Sequence, residues 1–313
     1  MKLLFLLSKE NIGLAKEEAL AIARTEGELT GNMLVIDSKK DITHFKRLAF
    51  TRKIYQFLFL CEKRNLLKTI KAFDWNSIYE ENFCLRIYGN KKLKEAEYAD
   101  LLWDIIKNPL ANLKNPKTLI ELHIVNNQVF AGKSLWENNE NFIHRETKNR
   151  PAHHPTTMHP KLARACINLA GIEKGKFLDP FCGSGGILIE AGLLGYNIVG
   201  YDIDESLIRR AKINLNYYKV KKYRLEHRDS TKKMVKSDLI VTDLPYGKSS
   251  KVNNIEKTYS DFLNLSYSKT RKMVVIFPSF VNYQKMLGNW KIKNTFDIYV
   301  HKSLTRKITV LEK

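Results

Sequence analysis

The run Thr242-Asp243-Leu244-Pro245-Tyr246-Gly247 places a carboxylate, a proline turn and an aromatic ring side by side. An exocyclic amino group on a nucleic-acid base is a poor nucleophile, because its lone pair is delocalised into the ring. A carboxylate oxygen assisted by a carbonyl can accept the amino hydrogens, and an aromatic side chain can stack on the base. Asp243, Pro245 and Tyr246 are the predicted catalytic residues, although in isolation the run would also suit a plain Pro-Tyr-Gly turn.

A glycine loop lies upstream, Asp179-Pro180-Phe181-Cys182-Gly183-Ser184-Gly185-Gly186. Gly183 and Gly185 allow a tight turn and close approach of a ligand to the backbone. Leu188 stands where a GxGxxG dinucleotide motif has its last glycine, and the loop lacks the Gly-Lys-Ser/Thr of a phosphate loop. Asp179 would repel a pyrophosphate but favours the cationic amino-acid end of a sulfonium cofactor.

Carboxylates recur at the predicted ends of the next two strands. Asp202 follows Asp179 at about the 20-residue interval expected for a carboxylate that bonds ribose hydroxyls, and Asp229 is a natural acceptor for an adenine amino group. Asp204 is a predicted N-cap of the next helix. Together these features predict an S-adenosylmethionine site rather than three unrelated turns. The predicted cofactor-binding set is Asp179, Phe181, Gly183, Gly185, Asp202, Ile203, Asp229 and Ser230.

The elements that must position these residues alternate between strand and helix after residue 160. Hydrophobic periodicity predicts strands at 175–179, 198–202, 224–229, 239–243 and 272–277. It predicts helices at 161–169, 185–194, 205–218 and 259–268. The strands at 296–301 and 307–311 leave little room for a crossover helix, which indicates an antiparallel last pair. This order predicts a doubly wound α/β sheet with ligands at the carboxyl ends of its strands.

The first half predicts a mixed α+β region. Strands are expected at 2–8, 32–36 and 83–88, and at 119–125 and 128–132 around a hairpin turn at Asn126-Asn127. Helices are expected at 14–25 and 97–106, with short helical stretches at 42–47 and 75–80. Residues 137–160 lose this periodicity and form the predicted linker. Its scattered histidines lack carboxylate or cysteine partners at ligand spacing, so we expect no metal, and Arg145 is a candidate for phosphate contact.

Composition indicates the kind of partner. The chain has 53 Lys+Arg against 33 Asp+Glu, a net charge of +20, which favours a polyanion such as nucleic acid. Four scattered cysteines suit a reducing cytosol. No apolar run approaches the roughly 20 residues of a bilayer span. We therefore expect a cytoplasmic protein with no membrane association and no obligate protein partner, acting as a monomer.

The ordered motifs resemble those of the archaeal tRNA (guanine-10-N2) methyltransferases. The similarity is carried by the glycine loop, by Asp243-Leu244-Pro245-Tyr246-Gly247-Lys248, and by the segments 150–164 and 299–306. Leu244 departs from the (Asp/Asn/Ser)-Pro-Pro-(Tyr/Phe/Trp) motif of amino-methyltransferases, so the rigid φ angle of the first proline is lost. The resemblance implies a class I methyltransferase domain. It also implies that Thr157 and Met158 help bind the cofactor, and that Lys248, His301 and Arg306 contact RNA.

The first half contains the segments 83–87, 113–116 and 129–135. Through them it resembles that family's ferredoxin-like segment followed by a THUMP domain, an RNA-binding module. The resemblance implies a ferredoxin-like segment at 1–70, a THUMP-like domain at 71–136, a linker at 137–160 and a methyltransferase domain at 161–313. Arg86 and Lys133 are its candidates for phosphate contact at the surface. The implied substrate is a tRNA guanosine at position 10, receiving one or two methyl groups.

Three other functions remain open from the sequence. The same chemistry could act on another tRNA or rRNA guanine, or on adenine N6 in DNA, which the THUMP-like half disfavours. A protein of another class, a non-catalytic RNA-binding or assembly factor, would need a decayed site. The intact carboxylates Asp179, Asp202, Asp229 and Asp243 count against that alternative.

Overall fold

A computed structural model describes residues 1–154, 158–247 and 254–313. The chain divides into two compact units. The first comprises residues 1–16, 23–46 and 50–139, and the second comprises residues 17–22, 47–49 and 140–313. Each unit contains one seven-stranded sheet. Within the described ranges, no helix has both the length and the apolar character that crossing a bilayer demands.

The first sheet has the strand order β2-β3-β1-β4-β7-β6-β5. Its β5 and β6 are parallel, and its other neighbours are antiparallel. The elements along this part of the chain are β1 (Lys2–Leu7), α1 (Ile12–Ala23), β2 (Gly27–Thr30), β3 (Met33–Asp37), β4 (Thr51–Glu62), α2 (Leu66–Ala72), β5 (Phe83–Tyr88), α3 (Glu95–Ile105), β6 (Thr118–Val125) and β7 (Gln128–Glu137).

The predicted hairpin at Asn126-Asn127 is confirmed. Both residues have positive φ angles, 49° and 63°, and they join β6 to β7. A two-residue hairpin of this type needs positive φ at both central positions, and asparagine tolerates that conformation better than most residues. The sequence prediction missed β2, β4 and α2. The helical stretches expected at 42–47 and 75–80 are single 3₁₀ turns, Ile42–Phe45 and Trp75–Ser77.

One sheet runs through both segments that were predicted as separate N-terminal domains. Strand β4, from the segment 1–70, pairs along its length with β7, from the segment 71–136. The predicted boundary near residue 70 therefore falls between strands of a single sheet. The assignment of a ferredoxin-like part and a THUMP-like part stays a prediction.

The second sheet confirms the doubly wound prediction, with strand order β10-β9-β8-β11-β12-β14-β13. All its neighbours are parallel except the last two pairs, because β14 is antiparallel to both β12 and β13. Its elements are α4 (Pro160–Leu169), β8 (Lys176–Asp179), α5 (Gly186–Leu193), β9 (Asn197–Asp202), α6 (Glu205–Tyr217), β10 (Tyr223–His227), β11 (Leu239–Asp243), α7 (Ile255–Tyr267), β12 (Lys272–Pro278), β13 (Lys291–His301) and β14 (Leu304–Glu312).

Strand β8 lies between β9 and β11, so the chain reverses its direction of winding between β8 and β11. The loops that leave these two strands diverge on opposite faces of the sheet and open a crevice at their carboxyl ends. The loop after β8 is the glycine loop, and the loop after β11 begins at Asp243. The topology therefore brings the two predicted motifs together.

The second unit includes residues from the beginning of the chain. The buried Glu18 carboxylate accepts hydrogen bonds from Asn168 Nδ2 at 2.7 Å and from the Ala49 amide at 2.8 Å. Arg47 Nε donates to Asn168 Oδ1 at 2.7 Å. A truncation near residue 140 would consequently remove polar partners of α4 as well as the first unit.

Leu244 anchors the loop after β11. Its side chain is 2% exposed and belongs to the core of the second unit, and its backbone N–H donates to the Ile276 carbonyl of β12 at 3.2 Å. Proline at this position could not donate that hydrogen bond. Core packing and a backbone hydrogen bond thus restrain the loop where the related motif has a rigid proline.

We expect Leu244→Ala to lower the free energy of unfolding by about 2–5 kcal/mol, because a buried leucine is replaced by a cavity. Leu244→Pro should destabilise the chain as well, since it also removes the bond to Ile276. Urea denaturation monitored by circular dichroism would measure both. Leu193→Ala is the matched control, because Leu193 is 44% exposed in the same unit and should change stability by less than about 0.5 kcal/mol. Wild-type stability in Leu244→Pro would contradict this account of the loop.

Candidate active site

A cavity of about 350 Å³ opens at the carboxyl ends of β8, β9 and β11, at the switch point of the second sheet. Most of the predicted site residues lie on its wall. They are Met158, Asp179, Phe181, Gly183, Asp202, Ile203, Asp229, Ser230, Asp243, Pro245 and Tyr246. Gly185 caps the helix α5 behind this wall. Thr157 and Lys248 lie outside the described residues.

The glycine loop turns back on itself between β8 and α5. Gly183 and Gly185 have φ angles of 52° and 87°, in the left-handed region that glycine adopts without strain. The Gly183 amide donates to Asp202 Oδ2 at 2.9 Å, and the Cys182 amide donates to the Tyr201 carbonyl at 2.8 Å. These bonds fasten the loop to β9 and give the cavity a wall made largely of backbone.

Asp179 is a buried carboxylate at the base of the cavity, with 1% of its surface exposed. Its Oδ1 accepts the Thr242 hydroxyl at 2.7 Å and the Phe181 amide at 3.2 Å. Burial raises the pKa of Asp179 to about 7, although these two hydrogen bonds act to lower it. A cation bound nearby would favour the ionised carboxylate.

Asp202 and Asp229 stand at the ends of neighbouring strands and differ in environment. Burial raises the pKa of Asp202, whose two oxygens accept the amides of Gly183 and Asp204 at 2.9 and 2.8 Å. Partial burial acts to raise the pKa of Asp229, but the hydrogen bonds from Thr231 and the contact with Lys232 together lower it. Asp204 caps α6 as predicted, by accepting the Ser206 amide at 2.8 Å.

Asp243 forms a closed group with Tyr246 and Arg306. The Tyr246 hydroxyl donates to Asp243 Oδ1, and Arg306 Nη2 lies 3.2 Å from Asp243 Oδ2. Arg306 Nε also donates to the Tyr246 hydroxyl at 3.0 Å. Burial raises the pKa of Asp243, while the positive charge of Arg306 and the hydrogen bond from Tyr246 act to lower it.

The two carbonyls of the loop after β11 have different surroundings. The hydroxyl of the buried Tyr259 on α7 donates to the Pro245 carbonyl at 2.7 Å. In a parallel pair of strands, a residue that donates to one residue of the neighbouring strand accepts from the N–H two residues further along that strand. The Leu244 N–H donates to Ile276 of β12, so the Leu244 carbonyl would accept from the N–H of residue 278. Residue 278 is proline and has no N–H. No residue in the described ranges donates to the Leu244 carbonyl, which is left as an acceptor beside Asp243.

Three residues predicted to contact RNA or its phosphates, Lys133, Arg145 and Arg306, are buried in ion pairs. Lys133 is 8% exposed, and its Nζ lies 2.6 Å from Glu80 Oε1 and 2.8 Å from the Ile78 carbonyl. Arg145 is 9% exposed and pairs with Glu190 and Glu140, each at 2.6 Å. Arg306 is 8% exposed. The surface position expected of Lys133 is therefore wrong, because its ammonium group turns inward to Glu80 and the Ile78 carbonyl. The RNA contacts predicted for the three residues stay predictions.

The two other described candidates for RNA contact are accessible. Arg86 is half-buried and pairs with Glu95 at 3.2 Å. His301 lies exposed at the end of β13, with its Nδ1 3.1 Å from the Ser303 hydroxyl. Their predicted contacts with RNA stay predictions.

Sequence reasoning missed the partners of the predicted carboxylates. Thr242, which bonds Asp179, stands out as a polar residue inside the otherwise apolar strand β11, and this was a usable signal. The remaining wall residues were not predicted. They are His154, Pro180, Cys182, Ser184, Gly186, Ile187, Asp204, Leu207, Arg228, Thr231, Leu244 and Thr258.

The site therefore combines two chemical features in one cavity. Asp179 and Asp202 place two carboxyl groups beside a backbone loop, and a cationic ligand with polar groups would favour their ionised forms. At its other end, Asp243 and the Leu244 carbonyl are neighbouring hydrogen-bond acceptors, and Tyr246 supplies an aromatic ring. Such a site can hold a charged donor next to an amino group whose hydrogens need acceptors.

Two family descriptions match this chain. "RMKL-like, methyltransferase domain" matches residues 147–308, which include the whole cavity wall. "DNA methylase" matches residues 18–213, which include the glycine loop but end before Asp243. Both descriptions are of methyl-transferring proteins.

A solved structure shares the overall fold. The crystal structure of TrmN from Thermus thermophilus aligns over 100% of both chains with a TM-score of 0.52 and 18% identity. A possible methylase from Clostridium difficile gives a TM-score of 0.51 at 16% identity, over 100% of this chain and 98% of the other. At these identities the similarity shows the fold alone.

Similarity in sequence extends along the full chain. The chain is 31% identical to the tRNA (guanine(10)-N2)-dimethyltransferase of Methanothermobacter thermautotrophicus over 100% of both chains. It is 30% identical to the protein of the same name from Pyrococcus abyssi, over 97% of this chain and 98% of the relative. The resemblance inferred from the motifs is confirmed: the chain belongs to the tRNA (guanine(10)-N2)-dimethyltransferase family.

Proposed function

We propose that this protein transfers methyl groups from S-adenosylmethionine to the exocyclic N2 of guanosine 10 in tRNA, and that it adds two of them. The observation that carries the proposal is the shared cavity. Its wall contains both the glycine loop after β8 and the acceptor loop, residues Asp243–Tyr246 at the end of β11. The names of the full-length relatives support the choice of nucleotide and of dimethylation.

The residues present fit S-adenosylmethionine. The cofactor would supply a methyl group made electrophilic by the positive sulfonium. Asp202 would accept its ribose hydroxyls, Asp229 and Ser230 would face its adenine, and Asp179 would favour its cationic amino-acid end through the loop it supports. Phe181, Ile203 and Met158 offer apolar surface on the same wall.

The acceptor loop would activate the guanine amino group. Asp243 would accept one N2 hydrogen and the Leu244 carbonyl the other, which localises the nitrogen lone pair for in-line attack on the methyl carbon. The new N–C bond would form as the C–S bond breaks, and the excess proton would leave N2 through Asp243. Positioning and charge complementarity supply most of the acceleration in such a site.

A tRNA partner agrees with the composition of the chain. The net charge of +20 favours a polyanion, and a tRNA substrate agrees with the predicted cytoplasmic location. We propose that the predicted THUMP-like segment binds the tRNA. A DNA substrate is the second candidate, because one matching family description is that of DNA methylases.

We expect labelled S-adenosylmethionine and an unmodified tRNA transcript to give N2-methylguanosine and then N2,N2-dimethylguanosine at position 10, mapped by nuclease digestion and mass spectrometry. Asp243→Ala should abolish transfer while leaving tRNA affinity nearly intact. The control is Asp261→Ala, which removes an exposed carboxylate from α7. A near-normal rate in Asp243→Ala would reject the assigned acceptor. Label in duplex DNA instead of tRNA would favour the second candidate.

Pro278→Ala should lower the rate of transfer, because the new N–H can bond the Leu244 carbonyl and compete with the substrate. We expect a loss of about tenfold in kcat, the size of one weakened hydrogen bond, with the affinity for S-adenosylmethionine unchanged. Single-turnover kinetics with saturating cofactor would measure it. The control is Pro116→Ala, at a half-buried position in the loop before β6 of the first unit. An unaltered kcat in Pro278→Ala would contradict the acceptor role of the Leu244 carbonyl.

Cofactor affinity should increase with pH between about 6 and 7.5, where Asp179 ionises. Its pKa of about 7 in the folded chain lies above the ordinary value of 3.8, so the free site holds a proton that a cationic ligand expels. We expect roughly tenfold tighter binding across this range, with proton release visible by calorimetry in buffers of different ionisation enthalpy. Asp179→Asn should remove the dependence. Equal slopes in the two proteins would assign the proton to another group.

A further inference from the structure

Arg306 is a cation inside the second unit with a defined place beside the acceptor loop. It lies near the start of β14, where the strand pairs with Pro278 of β12 and Ile298 of β13. Its side chain is 10% exposed. A guanidinium is costly to bury without a carboxylate partner, and Asp243 is the carboxylate that it meets.

The contacts of Arg306 divide the two oxygens of Asp243 between different partners. The guanidinium is 3.2 Å from Oδ2, whereas the Tyr246 hydroxyl donates to Oδ1. Arg306 also donates to the Tyr246 hydroxyl, at 3.0 Å, and its charge lies 6.0 Å from the centre of the Tyr246 ring. A planar guanidinium fixes two acceptors at once, which a lysine ammonium cannot do in the same geometry.

We infer that Arg306 is a positioning residue for methyl transfer, which holds Asp243 by Oδ2 so that Oδ1 faces the amino group of the base. Tyr246 is then the exchangeable partner. Its hydrogen bond to Asp243 Oδ1 is replaced by one from the guanine amino group, and its ring becomes available for stacking on the base. The inference deepens the proposed function and rests on it.

This role replaces the RNA contact that the sequence predicted for Arg306. Phosphates recognise accessible cations at the surface. The Arg306 side chain is nearly enclosed, and it is aimed at the acceptor loop. His301, at the exposed end of the neighbouring strand, keeps its predicted contact with RNA.

The charges around Asp243 give the sign of the expected pH effect. Burial raises the pKa of Asp243, and Arg306 opposes that rise. Removing the guanidinium should therefore move the acidic limb of activity to higher pH. Several titratable groups interact electrostatically with Asp243. They are Asp179 on β8, Cys166 on α4, Tyr246 in the loop after β11, Tyr259 on α7 and Arg306 on β14.

The test compares Arg306→Gln and Arg306→Lys with Lys307→Gln in the full chain. Lys307 is the next residue of β14 and pairs at the surface with Asp297, so its variant should retain wild-type kcat. We expect Arg306→Gln to lower kcat about 100-fold, as removal of a preorganised partner does, with an acidic limb at higher pH. Arg306→Lys should lose kcat while keeping the wild-type limb, because it retains the charge without the forked geometry. Affinity for S-adenosylmethionine should be unchanged in all three variants.

Two results would overturn the inference. One is that Arg306→Gln keeps the wild-type kcat and the wild-type acidic limb. If thermal denaturation shows that Arg306→Gln is unfolded, a wild-type kcat in Arg306→Lys would be the equivalent result. The other is a loss confined to tRNA affinity, which would return Arg306 to RNA binding.

An NMR titration with isotope-labelled aspartate separates this inference from the proposed function. The Asp243 signal, assigned with Asp243→Asn, should titrate at higher pH in Arg306→Gln than in the wild type, whatever the substrate. An unchanged titration would reject the electrostatic part of the inference. Failure of the wild type to methylate tRNA would instead reject the proposed function.

Discussion

A carboxylate that is largely enclosed at the end of a strand needs a partner, and the partner of Asp243 connects the outer part of the second sheet to its centre. Asp243 ends β11 in the middle of the sheet, whereas Arg306 belongs to β14, on the far side of β12. Without the antiparallel pair β13–β14, Asp243 would lose its cationic partner and would hold a proton more tightly. The last two strands of the chain thus set the charge of the residue at the proposed reacting centre.

The position of the whole site follows from strand order. Because β8 lies between β9 and β11, the glycine loop and the acceptor loop leave neighbouring strands in opposite directions and leave a crevice between them. Asp179 bonds Thr242, next to Asp243, so the cofactor side and the acceptor side of the cavity share a hydrogen bond across β8 and β11.

The centre of the second sheet was predictable because β8, β9 and β11 are short, largely apolar strands that each end in an aspartate. The carboxylates at those ends marked the cavity for the same reason. In the first sheet, β4 was missed because its run Ile54–Cys61 shows little alternation between apolar and polar residues. Buried cations were also misplaced. Lys133 meets Glu80 53 residues away, and Arg145 meets Glu190 45 residues away, and no local pattern reports such pairings.

The bonds of Glu18 have a consequence for the order of events during synthesis. Asn168, which donates to it, lies 150 residues further along the chain. A ribosome therefore releases α1 long before the α4 helix that completes its polar environment. Until then Glu18 stays hydrated, since burying a carboxylate without its donors is unfavourable. The first sheet can form early during translation, whereas the hydrogen bond between Asn168 and Glu18 can form only after more than half of the chain has emerged.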